Sequence, residues 1–91
     1  MTIEEQEQFV CLKLKQEREK ANLSQMQLSL DSGVSQNMIT YIETGKRTPT
    51  VNTLLKLCNA MHISPAVLFP AGSNEKQKAK EMVIDLVQRF M

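Results

Sequence analysis

Aromatic residues are scarce in this 91-residue chain, which has no tryptophan, one tyrosine and three phenylalanines. A hydrophobic core built from it must therefore be aliphatic and rich in methionine, which suits packed helices. The apolar fraction of 42% and the charged fraction of 23% are ordinary for a globular protein and argue against wholesale disorder. The length is enough for one domain with a short appendage.

Metal ligands and long apolar runs are lacking as well. The two cysteines, Cys11 and Cys58, lie far apart without a CxxC motif, and the chain has one histidine, so we expect no metal site and no cofactor. No apolar run approaches the roughly 18 residues of a membrane-spanning helix. The opening MTIEEQEQF is acidic, unlike a secretory signal. We expect a cytoplasmic protein with reduced thiols and no membrane partner.

An excess of charge of one sign is also missing, because the formal net charge is only +1. The charges are nevertheless uneven along the chain. Residues 1–9 carry three glutamates and no cation, whereas residues 10–72 carry seven cations against four anions. This distribution permits binding to an anionic partner without demonstrating it.

The spacing of the apolar residues predicts helices throughout and no strands. Ser24, Ser35, Thr50 and Ser64 each precede a helical pattern and are suitable N-caps. The predicted helices are 3–21, 25–32, 36–44, 51–61 and a short one over 65–69. We expect an inner face made of Val10, Leu14, Leu28, part of Met26, Ile39, Ile42, Val51, Leu54, Leu55, Leu57 and Cys58. Lys13, Glu17 and Lys20 are expected to point outward.

Residues 24–45 carry the pattern of a helix-turn-helix motif. Gly33 stands where the turn needs a positive φ, Val34 can fill the gap between the two helices, and Ser29 is small enough for a close crossing. The second helix has Ile39 and Ile42 on one side. Its other side carries a row of hydrogen-bonding side chains: Gln36, Asn37, Thr40, Tyr41 and Thr44.

From about Val10 to Phe69 the chain resembles the Cro/repressor-type (XRE) family of helix-turn-helix DNA-binding regulators. The resemblance rests on LSQ opening the second helix, GVS at the turn, the run ITYIETGKRTP and the following LLKLCNAM. It implies an all-α fold: a five-helix, lambda-repressor-like DNA-binding domain over residues 1–69, with the helix-turn-helix at about 24–45.

The resemblance also implies a binding site for double-stranded DNA. Amide side chains can pair bidentately with adenine in the major groove. The implied base contacts are Gln36, Asn37, Thr40 and Tyr41. The implied phosphate contacts are Ser24, Gln25, Thr44, Lys46, Arg47 and Thr48. The implied structural residues are Gly33 and Val34 in the turn and an ion pair between Arg18 and Glu43. Leu30 occupies a position that is often charged and exposed in the family, and this leucine is a candidate for a partner surface.

The C-terminal part is predicted to consist of a linker, 70–74, and an amphipathic helix, 75–91. Its apolar stripe can pack against its own domain or join two copies, and the sequence leaves both packings open. We expect a homodimer that uses this helix. The residues expected at the dimer interface are Met82, Val83, Leu86, Val87 and Phe90.

Together these features predict a bacterial or phage transcriptional regulator, a repressor that binds a palindromic operator as a homodimer with helix 3 in the major groove. Two roles stay open within that class: an antitoxin that represses its own operon and a restriction–modification controller. The alternative outside it is a protein-interaction module or antitoxin-type partner with the same fold. No catalytic constellation and no small-molecule effector site are evident in the sequence, so we do not expect an enzyme.

Overall fold

The computed structural model describes residues 2–69, which form four α-helices, with no strand in that range. The helices are α1 (Ile3–Lys20), α2 (Gln25–Ser32), α3 (Gln36–Glu43) and α4 (Val51–Met61), and a 3₁₀-helix follows at Pro65–Leu68. The prediction of an all-helical fold is confirmed for residues 2–69. The predicted fifth helix is a single 3₁₀ turn, and the predicted linker and C-terminal helix lie outside the described residues.

Each α-helix begins with a side-chain cap that satisfies a free backbone N–H. Thr2 and Glu5 form a reciprocal capping box at the start of α1, with N···O distances of 2.9 and 3.0 Å. The hydroxyls of Ser24, Ser35 and Thr50 accept from the third N–H of α2, α3 and α4. The sequence predicts these three caps and also Ser64, whose hydroxyl accepts from the N–H of Ala66 (3.2 Å) at the start of the 3₁₀-helix.

Each α-helix is followed within two residues by a residue with left-handed backbone. Asn22 after α1 has φ 61°, Gly33 after α2 has φ 80°, and His62 after α4 has φ 59°. Asn tolerates this conformation, whereas His carries a modest conformational cost there.

The core draws on every helix and is aliphatic and sulfur-containing. Ile39 and Ile42 of α3 are buried against the other helices, and Val34 of the turn is buried as well. The complete set of buried apolar residues is Val10, Cys11, Leu14, Leu28, Val34, Ile39, Ile42, Leu54, Leu57, Cys58, Met61 and Leu68. None of the helices in residues 2–69 has the length and hydropathy needed to cross a membrane.

Three expectations about side-chain direction are wrong: those for Glu17, for Met26, and for the part of the α4 face made of Val51 and Leu55. Glu17, expected outside, is 7% exposed, since it follows Val10 and Leu14 on the inner stripe of α1. Its carboxylate lies 3.6 Å from the ammonium of Lys13 and 3.5 Å from that of Lys20, and this pairing compensates the burial.

The other two errors concern apolar side chains that face outward. Met26, expected to be partly inside, is 59% exposed because the short helix α2 buries only Leu28. On α4, Val51 and Leu55 are 73% and 43% exposed, whereas the rest of the expected face is buried.

Candidate nucleic-acid interface

The turn between α2 and α3 fixes the angle at which α3 is presented. Gly33 donates its N–H to the carbonyl of Ser29 (2.9 Å) and has a positive φ. A Cβ at this glycine would meet no atom within 4 Å, so the backbone conformation, not space, is what requires glycine here. The next residue, Val34, is buried and donates its N–H to the hydroxyl of Ser32 (3.1 Å). The predicted turn residues thus hold the two helices together.

The outer face of α3 is exposed and polar. Gln36, Asn37 and Tyr41 point to solvent, while Ile39 and Ile42 on the opposite side are fully buried. Within residues 2–69, no hydrogen bond engages the side-chain amide of Gln36 or Asn37. We call this exposed set of Gln36, Asn37 and Tyr41 the α3 outer face. Its donors and acceptors are available to an external partner.

Two residues predicted to contact DNA, Thr40 and Gln25, also form side-chain hydrogen bonds inside the protein. The hydroxyl of Thr40 donates to Oε1 of Gln25 (3.0 Å), and Nε2 of Gln25 donates to Oε1 of Glu43 (2.9 Å). Both Thr40 and Gln25 are half-buried. The bridge ties the first residue of α2 to the middle and end of α3. A DNA contact from either side chain would have to use its remaining hydrogen-bonding capacity.

Arg18 on α1 holds the end of α3 through a two-pronged ion pair. Its Nε donates to Oε2 of Glu43 (2.7 Å), its Nη2 to Oε1 of Glu43 (3.0 Å), and its Nη1 to the carbonyl of Leu23 (2.6 Å). The hydrogen bond to Glu43 raises the pKa of Arg18 above its ordinary value, although burial opposes it. Such bidentate pairs are geometrically specific, so this contact fixes where α3 sits.

The loop after α3 carries the cations Lys46 and Arg47. Both backbone N–H groups donate to the carbonyl of Tyr41, at 2.8 and 3.1 Å, and Gly45 takes φ 78° to turn the chain. The guanidinium of Arg47 lies 5.4 Å from the centre of the Tyr41 ring. Lys46, Arg47 and Thr48 are all exposed. Two cations therefore stand at one end of the α3 outer face.

Two contacts from α1 to this loop are ones that the sequence analysis missed. Nε2 of Gln8 donates to the carbonyl of Gly45 (3.4 Å), and the thiol of Cys11 lies 3.8 Å from the carbonyl of Arg47. Burial raises the pKa of the Cys11 thiol, with a further contribution from Glu7, so the thiol keeps its proton. No local sequence signal marks these residues, since the contacts arise from the crossing of α1 over the end of α3.

The start of α2 offers a smaller site beside the same surface. The hydroxyl of Ser24 accepts from the N–H of Gln27 (3.0 Å), which leaves the first two N–H groups of α2 without a partner inside the helix. At the start of the loop, Thr44 is exposed, and its hydroxyl donates to the carbonyl of Thr40 (2.8 Å). Ser24 and Thr44 lie where the sequence predicts phosphate contacts.

Metal chemistry has no support in the described part of the chain. No group of three or more His, Cys, Asp or Glu residues in 2–69 could hold a metal ion. Burial raises the pKa of the Cys58 thiol, as it does for Cys11, and both cysteines pack in the core. They act as small apolar residues of the interior.

Comparisons with known proteins agree with this geometry. Residues 14–68 match the family model described as helix-turn-helix. Two uncharacterized HTH-type transcriptional regulators, from two strains of Mycobacterium tuberculosis, are each 34% identical over 56 residues. Each of these two matches covers 62% of this chain and 40% of the relative, so this chain spans well under half the length of those relatives.

A solved structure is similar over a larger share of its own length. The restriction-modification controller protein C.AhdI from Aeromonas hydrophila is 31% identical, with a TM-score of 0.66. The similarity covers 71% of this chain and 97% of C.AhdI. The match of the family model to more than half of the chain shows the family, and the turn, caps and α3 described above are its structural features. The chain belongs to the Cro/repressor-type helix-turn-helix family of transcriptional regulators.

Proposed function

We propose that this protein is a sequence-specific DNA-binding repressor that places α3 in the major groove of its operator. The observation that carries the proposal is the α3 outer face. It presents two amide side chains that form no hydrogen bond within residues 2–69 and an exposed tyrosine, above two buried isoleucines. A helix of this size fits the major groove of B-DNA.

Within this proposal the exposed residues have separate tasks. Gln36 and Asn37 pair with base edges, since each amide can both donate and accept. Tyr41 contacts a base at the other end of the helix. Lys46 and Arg47 bind the adjacent phosphates and set the register without selecting sequence.

The remaining predicted phosphate contacts are secondary. Ser24 and Thr48 are exposed at the edges of the surface, and Thr44 borders the cationic loop. Backbone N–H groups at the start of α2 favour an anion. Gln25 and Thr40 act mainly by positioning, because their hydrogen bonds to each other and to Glu43 lock α2 against α3.

We further propose that the protein binds a palindromic operator as a homodimer. A single α3 is eight residues long and reaches few base pairs, so one copy specifies a short half-site. Two copies related by a two-fold axis specify two half-sites one helical turn apart. Occupancy of such an operator blocks transcription when the operator overlaps a promoter. The residues expected at the dimer interface, Met82 to Phe90, lie outside the described residues.

Fluorescence anisotropy with DNA selected from a random pool tests the proposal. Replacing Gln36 or Asn37 by Ala should lower the operator affinity roughly 5- to 150-fold each, from about 1–3 kcal/mol per bidentate contact. Binding to unselected DNA should change little. The matched controls are Gln16 of α1 and Asn59 of α4, which are exposed residues of the same two types on other helices. Replacing either by Ala should leave the operator affinity unchanged.

The salt dependence and the symmetry of the selected DNA complete the test. Two cations per copy in a dimer predict that log affinity falls with log salt with a slope of about −3.6. A selected sequence without two-fold symmetry contradicts the dimer. Failure to enrich any sequence, with no binding at low salt, contradicts DNA binding itself.

The structural match to C.AhdI favours one role within this class. C.AhdI is a restriction-modification controller protein, and its chain is matched over 97% of its length. We propose a controller of this kind as the first role to test. The check is a promoter–reporter assay in which the upstream DNA comes from the genes beside this protein's own gene.

The second candidate function is a protein-interaction module or an antitoxin-type partner with the same fold. A specific observation favours it: Met26 and Leu30, four residues apart on α2, are 59% and 72% exposed. Replacing Leu30 by Glu should abolish binding to a protein partner and leave DNA affinity intact. The Gln36 and Asn37 variants should do the reverse: they should lose DNA affinity and keep binding to a protein partner. The two sets of variants therefore separate the two functions.

A further inference from the structure

A second exposed surface, distinct from the α3 outer face, is an apolar groove of about 360 Å³ between α1, the start of α4 and the 3₁₀-helix. Its floor contains Val10 and Leu54, both buried, and its rim contains the exposed Val51 and Leu55. Apart from Glu7, the side chains that line it are uncharged and mostly apolar. We call this surface the α1/α4 groove.

The groove lies where the described chain ends. Phe69, the last described residue, is one of the residues that line it, so residue 70 follows directly from the wall of the groove. The predicted linker 70–74 has five residues and reaches at most about 17 Å when extended. Whatever follows the linker is thus held close to the groove at a high effective concentration.

The segment after the linker carries an apolar stripe that suits an apolar groove. Ala79, Met82, Val83, Leu86, Val87 and Phe90 recur at the spacing of one helical stripe. A helix over the 17 residues 75–91 is about 26 Å long, so its stripe is ample for a groove of this size. Exposed Val51 and Leu55 cost free energy in water, and covering them with this stripe removes that cost.

Charge complementarity gives the segment a direction. The start of α1 carries the exposed Glu4, Glu5 and Glu7, the last of which lines the groove. The first six residues of the segment carry three lysines, Lys76, Lys78 and Lys80, against one anion, Glu75. Docking that places these lysines beside the glutamates is favoured, and the reversed direction is not.

We propose that the α1/α4 groove is the docking site for residues 75–91 of the same chain. The sequence alone left open whether this segment packs within one chain or between two copies. The position of the groove at the chain's exit favours packing within one chain, because no second molecule has to be recruited. The residues expected at the dimer interface, Met82 to Phe90, are then covered within their own chain, so a homodimer has to use a different surface. The inference does not depend on DNA binding.

The absence of tryptophan from the chain supplies a clean test. Two full-length single-tryptophan variants, Val83→Trp and Phe90→Trp, place a reporter on the stripe. The emission of a docked reporter lies at shorter wavelength than that of an exposed one and does not change on dilution. The experiment is done without DNA, so the outcome for the proposed regulator does not affect it.

Groove substitutions in the same reporter background link burial of the reporter to the groove. Leu55→Glu should shift the emission to longer wavelength. Val51→Glu should do the same without harming α4, because Val51 is its first residue and a carboxylate is favourable there. The matched control is Leu30→Glu, an exposed leucine on α2 outside the groove, which should leave the emission unchanged. Circular dichroism checks that each variant is folded.

Three results would overturn the proposal. The first is exposed emission from both reporters in the unsubstituted groove. The second is buried emission that neither groove substitution changes. The third is groove-dependent burial that is lost on dilution together with a halved mass in light scattering, which would show that the segment of a second copy fills the groove.

Discussion

Helices α3 and α4 both place aliphatic side chains in the core, but their outer faces differ in chemistry. Outside, α3 presents Gln36, Asn37 and Tyr41, whereas α4 begins with the exposed Val51 and continues with the half-exposed Leu55. Exposed amides are well hydrated, so they remain available to a polar partner at little cost in free energy. Exposed aliphatic side chains are unfavourable in water and call for an apolar cover. The comparison separates a surface suited to nucleic acid from one suited to a helix.

The largest expected effect concerns what holds α3 in place. Arg18→Ala leaves the carboxylate of Glu43, 5% exposed, buried with Gln25 as its remaining partner. We expect the free energy of unfolding to fall by about 3–5 kcal/mol, as for other broken buried ion pairs. Urea unfolding followed by circular dichroism measures it. The control Lys56→Ala removes an exposed cation of α4 and should change stability by at most about 0.5 kcal/mol.

The inner faces of α3 and α4 should contribute similar amounts to the free energy of unfolding. Ile39→Ala in α3 and Leu57→Ala in α4 each remove a fully buried aliphatic side chain, and each should lower the free energy of unfolding by about 2–5 kcal/mol. The same urea titration compares them. A small loss for Ile39 beside a large one for Leu57 would mean that α3 is only loosely attached to the core.

The N-caps of α3 and α4 should contribute equally to the free energy of unfolding, and each should contribute less than a buried core side chain. Ser35 accepts from the N–H of Met38 and Thr50 from the N–H of Thr53, both at 3.1 Å. Replacing either by Ala should cost about 1 kcal/mol, and replacing Ser35 by Gly only a few tenths. Thermal unfolding resolves the difference, and a Ser35→Ala variant as stable as the parent would contradict the observed cap.

Alkaline pH gives the smallest expected difference, because α4 carries a buried thiol and α3 carries none. Burial raises the pKa of Cys58, so the unfolded chain loses this proton at about pH 8.5 while the folded chain keeps it. The stability contributed by the thiol is fully present below that pH and is lost as the pH rises through the folded-state pKa. Unfolding titrations at pH 7 to 10 should show this decline, shallower in Cys58→Ala. An identical decline in both proteins would assign it to other groups, including Cys11.

The local features of the fold could be predicted from the sequence, since caps and turns depend on neighbouring residues. Ser24, Ser35 and Thr50 cap the helices as expected, and Gly33 takes the positive φ. Side-chain directions were less predictable. Glu17 shows why: its charge suggested solvent, but its spacing from Val10 and Leu14 placed it inside.

The candidate site was predictable to the same degree. The exposure of Gln36, Asn37, Tyr41, Lys46 and Arg47 follows from helical periodicity and from the loop position. The internal hydrogen bonds of Thr40 and Gln25 could not be predicted, because they depend on how closely two helices approach. Gln8 and Cys11, which contact the loop from α1, depend in the same way on a crossing between distant parts of the chain.

Within residues 2–69 the side chains of Gln36 and Asn37 form no hydrogen bond, and this has an evolutionary consequence. Substitutions at these two positions are expected to leave the fold intact, because the buried isoleucines and the Arg18–Glu43 pair hold α3 in place. Under the proposed function, the two positions are free to diverge after a gene duplication, and each daughter protein can acquire its own DNA target. The arrangement thus gives a lineage a way to multiply regulatory circuits from one scaffold.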